Sequence, residues 1–129
     1  MAYYLSNYRP ASGLRRVSYG RFPVYLPLNV VAQDEAFEIT ALVPGLESED
    51  VRIEIVENTV SIRGEMKAPD GEVSFLLREI PAGEFRRTIR LPVDLDSDGA
   101  EAEISNGVLT LRVPKAEAVR PKMIEVKAR

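Results

Sequence analysis

Ala102-Glu103-Ile104-Ser105-Asn106-Gly107-Val108-Leu109-Thr110-Leu111-Arg112-Val113 is the stretch on which the fold turns. Ala102 and Ile104 share one parity, and Leu109, Leu111 and Val113 share another run of it. Such period-two alternation marks strands with one buried face. Between the runs, Asn106-Gly107 supplies two residues that tolerate positive φ, the chemistry of a two-residue hairpin turn. Upstream the same rhythm recurs. Leu26, Leu28 and Val30 alternate, as do Phe37, Ile39, Ala41 and Val43 with Glu38 and Thr40 between them. Val51, Ile53 and Ile55 interleave with Arg52 and Glu54, Val60 and Ile62 with Ser61 and Arg63, and Phe85, Ile89 and Leu91 share a parity. Turn residues separate the runs: Gln33-Asp34-Glu35, Pro44-Gly45, Glu57-Asn58, Pro92 and Asp96-Ser97-Asp98-Gly99. No window carries a sustained helical stripe. Seven or more short strands in this spacing predict an all-β, immunoglobulin-like antiparallel sandwich over residues 24–114.

Three regions break the rhythm. Residues 1–23 mix Pro10, Gly13, Gly20 and Pro23 with polar residues and predict a flexible N-terminal arm. Residues 64–84 are too long for a hairpin connection; their middle, Val73-Ser74-Phe75-Leu76-Leu77, is a possible strand in search of a partner. Residues 115–129, bounded by Pro114 and containing Pro121, read as an extended C-terminal arm, since proline cannot continue a central strand.

Composition restricts the chemistry. The 129 residues include no cysteine, which removes disulfides, thiolate metal sites and a cysteine nucleophile. Histidine is absent too, so the usual general base near neutral pH and the commonest zinc ligand are missing. No apolar run reaches the ~20 residues of a membrane helix, and the first ten residues lack the apolar core of a secretory signal. Cytoplasm is the default compartment. No Gly-x-x-x-x-Gly-Lys-Ser/Thr phosphate motif occurs, and no cofactor is implied. Asp94, Asp96, Asp98 and Glu101 lie close together but without the spacing of a calcium loop; they read as a solvated acidic turn. Charge is segregated. Residues 1–33 hold Arg9, Arg15, Arg16, Arg21 and no acid, +4 in all, which leaves −7 on the remainder of a chain whose net charge is −3. All five tyrosines lie in the same basic segment.

Ala102-x-x-x-Asn106-Gly107-Val108-Leu109 resembles the alpha-crystallin-domain signature of the small heat-shock proteins. Other motifs follow in the family's order. Leu42-Val43-Pro44-Gly45-Leu46 with Glu49-Asp50-Val51-Arg52-Ile53 looks like its Pro-Gly turn and acidic-aliphatic restart. Asn58 to Glu65 looks like its next hairpin, Gly83-Glu84-Phe85-Arg86-Arg87 with Leu91-Pro92 its Phe-x-Arg strand, and Ile124-Glu125-Val126 its C-terminal Ile-x-Ile/Val motif. The resemblance covers about residues 27–126. Asn29 stands where many members carry aspartate.

The resemblance implies a non-catalytic, ATP-independent holdase that keeps partly unfolded client proteins from aggregating, built as a homo-oligomer of dimers. It implies that Ile124 and Val126 insert into a groove lined by Ile53, Ile55, Ala102 and Ile104. A fraying tail is the simpler alternative. It implies that Val73, Phe75 and Leu77 belong to a strand exchanged between subunits, against the alternative of a covered surface loop. Arg87 shares parity with Phe85 and Ile89. It is either a snorkelling surface arginine or, as the resemblance implies, the partner of a carboxylate across the dimer interface. Tyr3, Tyr4, Tyr8, Tyr19 and Phe22 read as an adaptable, sticky arm for oligomer contacts and client binding. A nucleic-acid contact through the same aromatics and arginines is the rival reading, disfavoured on so acidic a body. The alternative within binding proteins is a CS-domain-type co-chaperone or another sandwich interaction module. No nucleic acid and no membrane is expected among the partners.

Overall fold

The computed structural model describes residues 24–128, so the tyrosine-rich arm and Arg129 lie outside the described residues. Seven strands form in chain order: β1 Leu28–Ala32, β2 Ala36–Leu42, β3 Val51–Val56, β4 Thr59–Met66, β5 Gly83–Arg90, β6 Glu101–Ser105 and β7 Val108–Pro114. They make a four-stranded sheet in the order β1-β2-β7-β6 and a three-stranded sheet in the order β3-β4-β5, all pairs antiparallel. Helical structure among these residues is limited to two single 3-10 turns, Ser48–Asp50 and Glu117–Val119.

The alternation read from the sequence decides which faces meet. Phe37, Ile39, Ala41 and Val43 are buried, and so are Leu109, Leu111 and Val113 on the neighbouring strand. The register places Phe37 opposite Val113, Ile39 opposite Leu111 and Ala41 opposite Leu109, so the apolar rows of β2 and β7 coincide. Across the core, Val60, Ile62 and Phe85 are buried from the second sheet. A shift of either strand by one residue would turn this whole set outward, which is why the pattern specifies the register.

The turns behave as their residues require. Asn106 and Gly107 both have positive φ, 51° and 76°, and join Ser105 to Val108 as a two-residue mirror-image turn. The Gly107 carbonyl accepts the Val43 N–H at 2.7 Å, and a Cβ on Gly107 would sit 3.2 Å from Pro44 Cα. The Asn-Gly hairpin and the Pro44-Gly45 turn, distant in sequence, are thus one structural corner. Asp50 organises the entry to β3. Its carboxylate accepts the Glu47 N–H at 2.9 Å and pairs with Lys67 at 3.0 Å. That backbone hydrogen bond, with Lys67 second, holds the Asp50 carboxyl below its ordinary value. A carboxyl lowered in this way stabilises above its unfolded pKa, and that contribution is lost in acid as pH falls through the folded one.

Some boundaries differ from those read in the sequence. The long connection was expected over 64–84, but β4 runs on to Met66 and β5 begins at Gly83. Gly64 continues the strand because the ring of Phe85 lies against it, in the space a side chain would take. The first alternating run includes Leu26, but β1 begins at Leu28, and Val24 and Leu26 ahead of it are buried in the core.

Gly64 has the tightest surroundings. A Cβ there would come within 2.5 Å of both the Asp50 carbonyl and Phe85 Cζ. Gly64→Ala is therefore expected to destabilise the sandwich by about 1–3 kcal/mol, the usual cost of overpacking, measured as a lowered urea midpoint at unchanged slope.

Candidate functional site

Two stacked sheets have two seams where their edge strands meet. On one side β1 faces β5, and the chain closes this seam itself. The Val24 N–H donates to the Glu84 carbonyl at 2.9 Å, and Val24 and Leu26 are buried in the core. Arg87, on the edge strand β5, donates from Nη1 to the Leu26 carbonyl at 3.0 Å and lies over the Tyr25 ring, 5.6 Å from its centroid. No carboxylate of the described residues pairs with it. Within one chain, Arg87 is a clasp on the closing segment.

On the other side β3 faces β6, and nothing of the described chain covers the seam. Ile53 and Ile55 stand opposite Ile62 and Val60, and Ala102 and Ile104 opposite Leu111 and Leu109, so all four point to the sandwich interior. As edge-strand residues they are only partly covered: Ile53, Ile55 and Ile104 are half-buried and Ala102 is exposed. Between them runs an apolar trough in two sections. One, of about 280 Å³, is lined by Ile53, Ile55, Ala100, Ala102 and Leu111. The other, of about 80 Å³, is lined by Val51, Ile53, Ala102, Ile104 and Leu109. Glu101 and Glu103 stand on its rim. The four residues expected to line a groove are brought together.

The tail is not in that trough. Ile124 and Val126 are 87% and 90% exposed. Nor does the long connection form a strand: residues 67–82 have no regular pairing, and Val73, Phe75, Leu76, Leu77 and Ile80 are all exposed. The arm expected from residue 115 does not leave at once. Leu95 bridges Lys115, the Ala116 N–H donates to the Asp94 carbonyl at 2.8 Å, and Arg120 Nε donates to the Lys115 carbonyl at 2.9 Å. Sequence reading missed this docking. Arg120 just before Pro121, with Asp96 in the acidic turn, was the signal that could have found it.

A larger depression, about 700 Å³, lies at the Asp50 end of the three-stranded sheet and is of a different kind. Arg52, Arg63 and Arg86 stand in one row across its three strands, and Glu65 faces Glu84 in the next. Its walls carry four cations and four carboxylates, a solvated face without net charge. Among the described residues no three acidic side chains gather as a metal site would require. No helix of the described residues is long and apolar enough to cross a membrane.

The described residues thus form an antiparallel β-sandwich with one open apolar seam. The profile of the Hsp20/alpha crystallin family matches residues 29–127. An 18 kDa antigen of Mycobacterium intracellulare is 36% identical over 104 residues, 81% of this chain and 70% of that protein. A 19.0 kDa class II heat shock protein of rice is 38% identical over 95 residues, 65% of this chain and 54% of that protein. Among solved structures, a small heat-shock protein of Xylella fastidiosa superposes with a TM-score of 0.67 at 28% identity, over 83% of this chain and all of the other. The chain belongs to the Hsp20/alpha crystallin family of small heat-shock proteins, which are chaperones and not enzymes.

The two seams should respond differently to truncation. Leu26→Ala removes a side chain that is 2% exposed and should cost about 2–5 kcal/mol. Ile124→Ala should leave the stability of the dissociated subunit within about 0.5 kcal/mol. Denaturant titration at low protein concentration reads both.

Proposed function

We propose that this protein is an ATP-independent holdase whose subunits are joined by the open seam and the exposed tail. The observation that carries the reading is the contrast between the seams. One is filled by the pair Val24 and Leu26, two apolar residues two apart in an extended segment. The other has an apolar trough of the same origin, and the chain owns a second such pair, Ile124 and Val126, left in solvent. Alternate residues of an extended segment point to the same side, so Ile124 and Val126 can enter together while Glu125 stays out. Burying both is worth roughly 3–6 kcal/mol before ordering costs, enough for a link that forms and breaks. Lys122 and Lys127 flank the pair, and Glu101 and Glu103 on the rim complement them.

The stretch Val73–Leu77 supports the second contact. Five large apolar side chains between residues 73 and 80 are exposed in a single chain, and the outer edge of β1 is an unpaired strand edge. A strand exchanged with a second copy would satisfy both, because unpaired edges seek partners. Arg87 is then placed at the dimer interface, with the Leu26 carbonyl as its partner within the chain. Apolar surface released when such an assembly loosens is what binds clients: holding the unfolded form, by mass action, without nucleotide. The N-terminal aromatics Tyr3, Tyr4, Tyr8, Tyr19 and Phe22 are assigned to client contact, and the cytoplasm is the compartment in which this activity is placed.

Purified protein is expected to suppress the thermal aggregation of a model client at near-stoichiometric subunit ratio without ATP. Light scattering that rises as fast with the protein as without it, for several clients, would refute the holdase reading. Assembly is tested separately. Ile124→Ala with Val126→Ala should reduce the native particle to species no larger than dimers in light scattering, with circular dichroism unchanged. Removing residues 69–79 should raise the dimer dissociation constant by at least about a hundredfold, since an exchanged strand carries several kcal/mol of burial. Unchanged mass in either variant removes the corresponding contact.

A further inference from the structure

The tail leaves the sandwich through a joint that none of the family motifs includes. Asp96 sits at its centre. Its Oδ1 accepts the N–H groups of Asp98 and Gly99, at 3.1 and 3.4 Å, and shapes the loop between Leu95 and β6. Its Oδ2 pairs with Arg120 Nη2 at 3.4 Å, and its own N–H donates to the Pro114 carbonyl at 2.9 Å. Arg120 Nε donates to the Lys115 carbonyl, so the guanidinium spans the turn Glu117–Val119 and holds both its ends. Directly beyond this point the backbone is restricted. Arg120 is extended, with φ −74° and ψ 146°, and the following Pro121 both favours that conformation and fixes its own φ. From Arg120 to Val126 is at most about 20 Å of extended chain. The joint therefore sets the point and direction from which the segment bearing Ile124 and Val126 departs.

The same loop serves the receiving side. Ser97 and Ala100, on either side of the Asp96-held turn, line the trough between β3 and β6. Donor root and acceptor rim thus meet at one carboxylate, and yet the tail stands clear of the adjacent trough, with Ile124 and Val126 in solvent.

We infer that the Asp96–Arg120 pair is a positioning clamp that aims the tail away from its own subunit's trough, so that the tail links subunits instead of capping the one it belongs to. The inference rests on the tail-in-groove reading above. A tethered segment occupies whichever site its linker reaches at highest effective concentration. Freeing the root lets six residues sweep back toward the trough beside it, and self-capping then competes with linkage. A fixed root removes that competitor. The clamp also makes assembly geometry depend on Asp96 and Arg120, which lie outside both the tail motif and the groove strands.

The test separates the clamp from the groove and from folding. Asp96→Asn keeps an oxygen for the Asp98 and Gly99 N–H groups and removes the charge facing Arg120. Arg120→Gln removes the other half, and Arg120→Lys restores a cation. In the full chain, Asp96→Asn and Arg120→Gln should raise the concentration at which the native particle half-dissociates by about tenfold, the effect of one charged contact per link. Arg120→Lys should recover part of it. In parallel, a peptide of residues 121–129 is titrated into full chains carrying Ile124→Ala and Val126→Ala, with and without Asp96→Asn. Equal peptide affinity in both shows an intact trough and assigns the loss to aim. Unchanged particle dissociation overturns the clamp. A peptide affinity that falls with Asp96→Asn overturns it as well, since the loop then only supports the trough. A peptide that binds neither chain sinks the tail-in-groove reading itself and takes the clamp with it.

Discussion

Two antiparallel sheets that each bury one face must still seal the seams where their edge strands meet, and a four-stranded sheet against a three-stranded one does not seal both. Residues of edge strands point inward by the same alternation as their neighbours, but they have a covering strand on one side only. Ile53, Ile55 and Ile104 are therefore half-buried although their cross-strand partners Ile62, Val60 and Leu109 are fully buried. At the β1/β5 seam the chain solves this with its own Val24 and Leu26, clasped by Arg87. At the β3/β6 seam it leaves the apolar surface open. The rest of the molecule's surface logic follows from that inequality.

An open seam is an unusual feature to tolerate, because exposed apolar surface invites association. Here the invitation is bounded. The trough is narrow, its rim carries Glu101 and Glu103, and the outer face of the three-stranded sheet is a field of interleaved arginines and carboxylates. Like charges opposed across strands, as Arg52, Arg63 and Arg86 are, cost stability, and they keep that face from sticking. Among the described residues, exposed apolar surface gathers at the seam, the 73–80 segment and the tail. Apolar burial has no directionality and little chemical preference. That suits the proposed holding of many unrelated unfolded chains.

Much of the fold was legible because period-two alternation and turn chemistry are local. The rows Phe37 to Val43 and Leu109 to Val113, and the positive-φ pair Asn106-Gly107, need only nearest neighbours to be read. The candidate groove was readable only in part. Its four residues came from the family resemblance, and alternation marks Ile53 and Ile55 as inward without showing that they lie at an edge. Edge position is a matter of sheet order, which depends on distant pairings such as Ala36 with Pro114 and Thr59 with Arg90. Arg87 illustrates the same limit: parity showed a charge facing inward, but its hold on the Leu26 carbonyl depends on where a distant segment crosses the seam. The Asp96–Arg120 joint left only a weak trace, for a related reason. An acidic turn and a lone arginine 24 residues on carry no shared period.

The sequence by itself determined seven alternating runs, their turns, their inner faces and a chain without the residues for histidine or thiol chemistry, since each of these is written in spacing or composition. Only the tertiary structure decided which strands are edges, which seam is closed and where the tail is released. Those outcomes come from how unequal sheets stack, and stacking is a long-range competition for apolar cover that no local pattern records.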